Sequence, residues 1–156
     1  MVRLLDKQRE MARLEQAFDL LWENMGRITP WERSYPEEKA AWLSCVAPAL
    51  EKAPRQMALY FDGENLRGFA QYYCNHGIFM IEELQISGGY RSGSAAVNLW
   101  KFLKNQLPEE IRYVEAYADA RNTGSQKLME KLGMEPVERS GQFLHYRAEL
   151  AKLPIF

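Results

Sequence analysis

The run IFMIEELQI, residues 78–86, places two carboxylates, Glu82 and Glu83, inside an otherwise apolar stretch. A carboxylate in a strand interior is unusual, and one whose pKa is raised by its surroundings can take a proton at neutral pH. Period-two alternation puts Glu82 and Glu83 on opposite faces, one wet and one against a helix layer. Directly afterwards comes SGGYRSGSAA, residues 87–96, in which Gly, Ser and Ala surround Tyr90 and Arg91. Small residues and one fixed charge between a strand and a helix suit a loop whose N–H groups face an anion, backed by the helix dipole. Arg91, Ser92, Gly93, Ser94, Ala95 and Ala96 are then the anion's partners. The same residues also suit a plain turn capped by Ser94, and the same carboxylates suit an ion pair with a helix lysine or arginine.

Other groups could share the chemistry. Tyr113, Tyr117 and Tyr146 stand in later strand-like runs, where a phenol can donate a proton and where tyrosines also simply pack. His145 offers a second base or a hydrogen-bonded structural histidine, while His76 reads as a turn residue. The segment ITPWERSYPEE combines Trp31 and Tyr35 with Glu32, Glu37 and Glu38, a lining that suits a cationic amine or packs a joint between helices. No Cys/His ligand spacing supports a metal site.

Composition narrows the class. The chain has 156 residues, 47% hydrophobic and 26% charged, with a formal net charge of −1. That length suits one domain over residues 1–156, and the charge balance gives no reason to expect nucleic acid. No apolar run is long enough to span a membrane, and the first residues lack the apolar core of a signal peptide. Cys45 and Cys74 make no disulfide framework and read as packed thiols of a cytoplasmic protein.

The elements that must position these groups follow from periodicity. Leu4, Met11, Leu14, Phe18, Leu21 and Met25 form one stripe of an amphipathic helix, and residues 37–50 predict a second with Ala41, Trp42, Cys45 and Val46 inward. MALYF, LRGFAQYYC and IFMIEELQI, separated by DGEN and NHG, predict an antiparallel meander, because Gly63, His76 and Gly77 supply turn residues with positive φ. A helix near 94–106, a strand at 111–118, a helix from the cap Asn122 to the stop Gly133 and a last strand FLHYRAEL complete a mixed α/β order. The strand-helix-strand step over residues 78–117 predicts a right-handed parallel crossover.

LQISGGYRSGSAAVNLWKFL resembles the coenzyme A segment of the GNAT acyltransferases, with Arg91, Ser94 and Ala96 at its marked positions. NTGSQKLMEKLGME is similar to that family's second block, from Asn122 through Leu132 and Gly133. The resemblance implies a mixed, mostly antiparallel sheet with helices on both faces and a splayed parallel strand pair holding acyl-CoA. It implies acetyl-CoA as co-substrate, pyrophosphate on the 91–96 loop, and pantetheine along the backbone of Leu84, Gln85 and Ile86, with Asn122 and Ser125 joining the coenzyme site. Glu82 aligns with the glutamate proposed as base in the spermidine/spermine acetyltransferases, with Glu83 beside it. Two positions depart from the pattern: Ser94 replaces a usual glycine, and Met129 replaces the usual general-acid tyrosine, which leaves Tyr117 as a candidate acid. The implied function is transfer of an acetyl group from acetyl-CoA to a primary amine of a small molecule or peptide. An acyl-CoA-binding sensor without turnover is the alternative, and an interaction protein that homodimerises through its helical stripe is a third.

Overall fold

The computed structural model describes residues 1–52, 54–90 and 94–153. Seven strands follow the order β1-β2-β3-β4-β5-β7-β6 in one mixed sheet. They are β1 (Val2–Leu4), β2 (Gln56–Asp62), β3 (Asn65–Asn75), β4 (Ile78–Ile86), β5 (Tyr113–Asp119), β6 (Glu135–Ser140) and β7 (Phe143–Glu149). The α-helices are α1 (Leu14–Gly26), α2 (Tyr35–Glu51), α3 (Ala95–Asn105) and α4 (Thr123–Lys131). The chain forms two compact units, Met1–Gln71 with Glu83–Asn105, and Tyr72–Glu82 with Gln106–Phe156.

In the first unit, β1 pairs antiparallel with β2. The helical stripe expected from Leu4 begins later, because Leu4 belongs to β1 and Met11 to a short 3-10 turn. Ser34 caps α2 through the N–H of Glu37, and two acids in the first turn favour the dipole. Leu14, Ala17 and Leu20 of α1 pack with Val46 and Leu50 of α2 against Met57, Leu59 and Phe69 of the sheet. Phe18 and Leu21 are buried too, so the stripe positions on α1 from Leu14 to Leu21 belong to the core. Cys45 lies on the exposed side of α2, contrary to the inward, packed position expected for it. Gly68 has a packing reason: a Cβ there would come within 3.2 Å of the Gln85 carbonyl oxygen and 3.4 Å of Leu99.

In the second unit, β4 and β5 pair in parallel from Ile78–Tyr113 to Ile81–Ala116, as the crossover pattern predicts. The β3–β4 turn has φ of 51° at His76 and 79° at Gly77, the conformation a tight hairpin demands. β7 pairs antiparallel with β5 over its full length. Strand β6, absent from the sequence reading, pairs with β7. Its six residues are all exposed, so it lacks the apolar alternation by which strands are recognised. Phe79, Val114, Ala116, Met129, Leu132, Met134 and Tyr146 are buried in this unit.

Candidate active site

The residues singled out by sequence fall on both units. In the first, β4 ends with Glu83 and Leu84 half-buried and Gln85 and Ile86 buried. The Gln85 side chain accepts a hydrogen bond from Asn24 Nδ2 of α1 at 3.0 Å and donates to Glu83 Oε1 at 2.5 Å. The same Asn24 nitrogen donates to the Ile86 carbonyl at 2.9 Å. Both protons of the Asn24 amide are therefore in use, and its orientation is fixed. Asn24 is 3% exposed, and its Oδ1 is buried without a hydrogen-bond partner. Burial raises the Glu83 pKa above the ordinary carboxylate value, and the Gln85 bond pulls the other way with smaller effect. Sequence reading missed Asn24; the signal was a polar residue buried among the apolar positions of α1.

Beyond β4 the chain turns through Gly88–Tyr90. The Ser87 N–H donates to the Arg67 carbonyl at 2.8 Å, and the Tyr90 hydroxyl donates to Asp62 while its ring lies under the Arg67 guanidinium. A Cβ on Gly88 would lie 2.8 Å from Arg27 Nη1, so glycine admits that arginine, which follows α1. Arg91, Ser92 and Gly93 lie outside the described residues. At the start of α3, the Asn98 N–H donates to the Ser94 carbonyl at 2.8 Å. The N–H groups of Ala95, Ala96 and Val97 therefore precede the helical ladder. Ser94 is exposed, Ala95 is buried and Ala96 is half-buried. Backbone N–H groups at the opening of an eleven-residue helix, with small side chains around them, are donors of the kind a pyrophosphate needs, so the described residues fit that group.

Trp31 and Tyr35 join an aromatic cluster in the same unit. Trp31 stacks on Trp22 at 4.7 Å and donates its indole N–H to the Trp22 carbonyl at 3.1 Å. The Tyr35 hydroxyl pairs with Asp19 and accepts from Lys39, whose ammonium lies 5.1 Å from the Tyr35 ring centre. These are the contacts that the packing reading of the segment expects. The cation on the tyrosine is the protein's own.

In the second unit the parallel register stops at Ile81–Ala116, although β5 continues to Asp119. The next residue on each strand is Glu82 and Tyr117. Alternation gives both the face opposite buried Ile81 and Ala116. Glu82 is exposed, and Tyr117 is 51% exposed. In register with Tyr117 on β7 is His145, and in register with His145 on β6 is Glu138. Four titratable side chains thus share one row across four strands. Tyr117 stacks flat on His145, with ring centres 4.5 Å apart and planes 11° from parallel. His145 Nε2 lies 2.6 Å from Oε1 of Glu115, a buried carboxylate two residues before Tyr117. Its Nδ1 lies 3.9 Å from Glu138. The sequence could offer His145 as a candidate base, but Glu115 as its partner depends on a register that no local pattern encodes.

The remaining candidates have structural places. The Asn122 side chain accepts from the Ser125 N–H at 3.0 Å and caps α4. Met129 is buried at 4% exposure and Tyr146 at 1%. Burial raises the Tyr146 pKa, which disfavours loss of its proton. The Arg147 guanidinium lies 3.9 Å from the centre of the Tyr113 ring. Among the described residues no cluster of His, Cys, Asp and Glu is arranged to hold a metal ion, and no helix is long and apolar enough to cross a membrane.

Solved structures share this fold at low sequence identity. An acetyltransferase from Thermus thermophilus superimposes with a TM-score of 0.75 at 16% identity, covering 96% of this chain and 97% of that one. The PaiA N-acetyltransferase of Thermoplasma acidophilum, solved with coenzyme A, gives 0.71 at 12% identity, covering 96% and 99%. Campylobacter jejuni PseH, an N-acetyltransferase solved with acetyl coenzyme A, gives 0.63 at 12% identity over the same shares. No curated protein sequence gives a match. The model of the acetyltransferase (GNAT) family matches residues 14–134, a span that includes both the carboxylate strand and the α4 block. The chain belongs to the GNAT acetyltransferase family.

Proposed function

We propose that the protein transfers the acetyl group of acetyl-CoA to a primary amine of a small molecule or peptide. Acetyl-CoA supplies an activated thioester. The observation that carries the reading is that Glu82 and Tyr117, an acid-base pair by chemistry, are the first residues past the last parallel pair and share one face. An alkylammonium has a pKa of about 10.4, so a group must remove its proton before it can attack. Glu82, exposed on that face, takes this proton. Tyr117 gives its proton to the departing sulfur, a role that Met129 has neither the proton nor the exposure to fill.

Ser94, Ala95 and Ala96 offer the pyrophosphate the N-terminal groups of α3, with Arg91, Ser92 and Gly93 preceding them. Leu84 and Gln85 offer backbone groups to the pantetheine amides as an added strand would, beside Ile86, whose carbonyl already accepts from Asn24. Asn122 and Ser125 serve this site by fixing the start of α4.

Calorimetry with coenzyme A and acetyl-CoA, followed by a thiol-release screen over small amines and peptides, tests the reading. Saturable binding and turnover with one amine class are expected. Binding without turnover on any amine would leave a coenzyme sensor instead. Absence of binding would remove the coenzyme reading altogether.

A further inference from the structure

The acceptor ammonium must lose two protons in becoming an amide. Glu82 accounts for one, and the other must find a route toward the Tyr117 phenolate that remains once sulfur has taken the phenol proton. The geometry points to His145, oriented by Glu115, as the further proton-transfer residue that takes it. The inference rests on the acetyl-transfer reading.

The orientation is explicit. A carboxylate only accepts hydrogen bonds, so the 2.6 Å contact requires the proton of neutral His145 to sit on Nε2, facing Glu115. The lone pair is then on Nδ1, and its nearest recorded partner, Glu138, is 3.9 Å away, beyond hydrogen-bond length. An imidazole with one nitrogen held by a buried carboxylate and the other open is the arrangement of an oriented general base. The charged and titratable groups around it are Glu115 and Tyr117 from β5, Glu138 from β6 and, two residues along β7, Arg147. Glu82 of β4 shares the face. The ring lies between two carboxylates, Glu115 at 2.6 Å and Glu138 at 3.9 Å. Tyr117 covers its flank as a flat stack, which orders a phenol that is otherwise half exposed.

The protons balance as follows. Glu82 takes the first proton, and the nitrogen lone pair forms the N–C bond to the acetyl carbon. The second N–H proton passes to Nδ1 of His145 as the C–S bond breaks, its electron pair staying on nitrogen. Sulfur departs with the C–S bonding pair and takes the Tyr117 proton. The His145 imidazolium hands its proton to water, since its N–H bonds lie in the plane of a ring stacked flat on Tyr117. The Tyr117 phenolate is reprotonated from that water, while Glu82 also releases its proton to water. One proton is set free per turnover, as conversion of an ammonium and a thioester into an amide and a thiol requires.

The test measures thiol release against pH for wild type, His145→Gln, His145→Ala and Glu115→Gln, with coenzyme A affinity measured by calorimetry in each. His145→Gln should lower kcat by about 10²-fold and lose the limb on which the rate rises as the imidazole loses its proton. Coenzyme A affinity should stay near that of wild type. Added imidazole should restore turnover in His145→Ala and saturate, an effect no inter-strand tie would show. Glu115→Gln, which keeps the histidine, should lose roughly 10-fold and displace the same limb. If His145→Gln stays within about threefold of wild type with its pH limb intact, or imidazole rescues nothing, the pair is a tie between β5 and β7 and the inference is wrong. Should His145→Ala not fold, the limb in Glu115→Gln and His145→Gln decides alone. A wild type that turns over no amine removes the acetyl-transfer reading and this inference together, an outcome distinct from an active wild type with indifferent variants.

Discussion

Glu82 and Glu83 are neighbours in the chain and belong to different compact units. Glu83 sits in a desolvated chain of side chains running through Gln85 to Asn24, and its pKa is raised. Glu82 stands exposed at the end of a parallel ladder, in a row with Tyr117 and His145. Two identical side chains thus receive opposite surroundings from one step of strand alternation. Environment, not residue type, separates an exposed carboxylate, proposed as the proton acceptor, from one held in a desolvated chain of hydrogen bonds.

Exchanging the two carboxyls one at a time tests this comparison most severely. Glu82→Gln should lower kcat by about 10²–10⁴-fold and leave coenzyme A affinity nearly intact. Glu83→Gln should change turnover far less, since an amide keeps a hydrogen-bond acceptor for Gln85. If Glu83→Gln is instead the inactive enzyme in the thiol-release assay, the base lies on the desolvated side and the assignment reverses.

Tyr117→Phe sharpens the exposed half. A thiolate departs without help, so the loss of turnover should fall at or below the low end for acid catalysis, roughly 10-fold. Met129→Tyr, which would restore the family's usual residue, should not compensate. Its site is buried at 4% exposure, and an added ring and hydroxyl there should cost about 1–3 kcal/mol by overpacking. Thermal unfolding beside the kinetics separates the two effects. A gain of turnover in Met129→Tyr would mean that α4 repacks to expose the phenol.

Asn24→Leu strikes the other half. It removes both Nδ2 hydrogen bonds and takes from the Gln85 oxygen the donor Asn24 supplies, while relieving the unpaired Oδ1. A net loss of about 2 kcal/mol in urea unfolding is expected, since each stranded buried group costs roughly 1–3 kcal/mol. Unchanged stability would show that the Asn24 chain does not order the end of β4.

How far these halves were legible in the sequence follows from the range of the signals. Hairpin turns and the Asn122 cap are local, and they appear where turn and cap chemistry place them. The loop segment LQISGGYRSGSAAVNLWKFL and the block NTGSQKLMEKLGME are local too, and the family resemblance rests on those two. What escaped was non-local. Strand β6 carries no buried face, and the short 3-10 start of the first helical segment breaks a stripe that composition alone would extend to Leu4. The Glu115–His145 pair depends on β5 meeting β7 in one register among several, and a shift by one residue would turn His145 to the other face. Trp31 and Tyr35 looked equally suited to a ligand and to packing, and contacts with Trp22, Asp19 and Lys39 favour packing.

The smallest expected effect compares Glu83 with Glu10, a carboxylate displaced in the opposite direction. Glu10 holds Arg3 at 2.5 Å and Arg13 at 2.7 Å, and the Arg3 hydrogen bond leads in lowering its pKa to about 2. Its contribution to stability is therefore present above the unfolded value of about 4.3 and is lost as pH falls toward the folded one. Glu83 behaves inversely. Its folded pKa is raised, so its contribution is full below about pH 4.3 and is lost as pH rises through the folded value. In unfolding experiments across pH, Glu10→Gln should be less stable than wild type near neutrality, by no more than about 1 kcal/mol for so accessible a pair, with the gap closing in acid. Glu83→Gln should match wild type in acid and become the more stable protein as pH rises. Parallel curves for the two variants would mean that Glu83 is not desolvated, and the contrast between the two faces of β4 would lose its electrostatic basis.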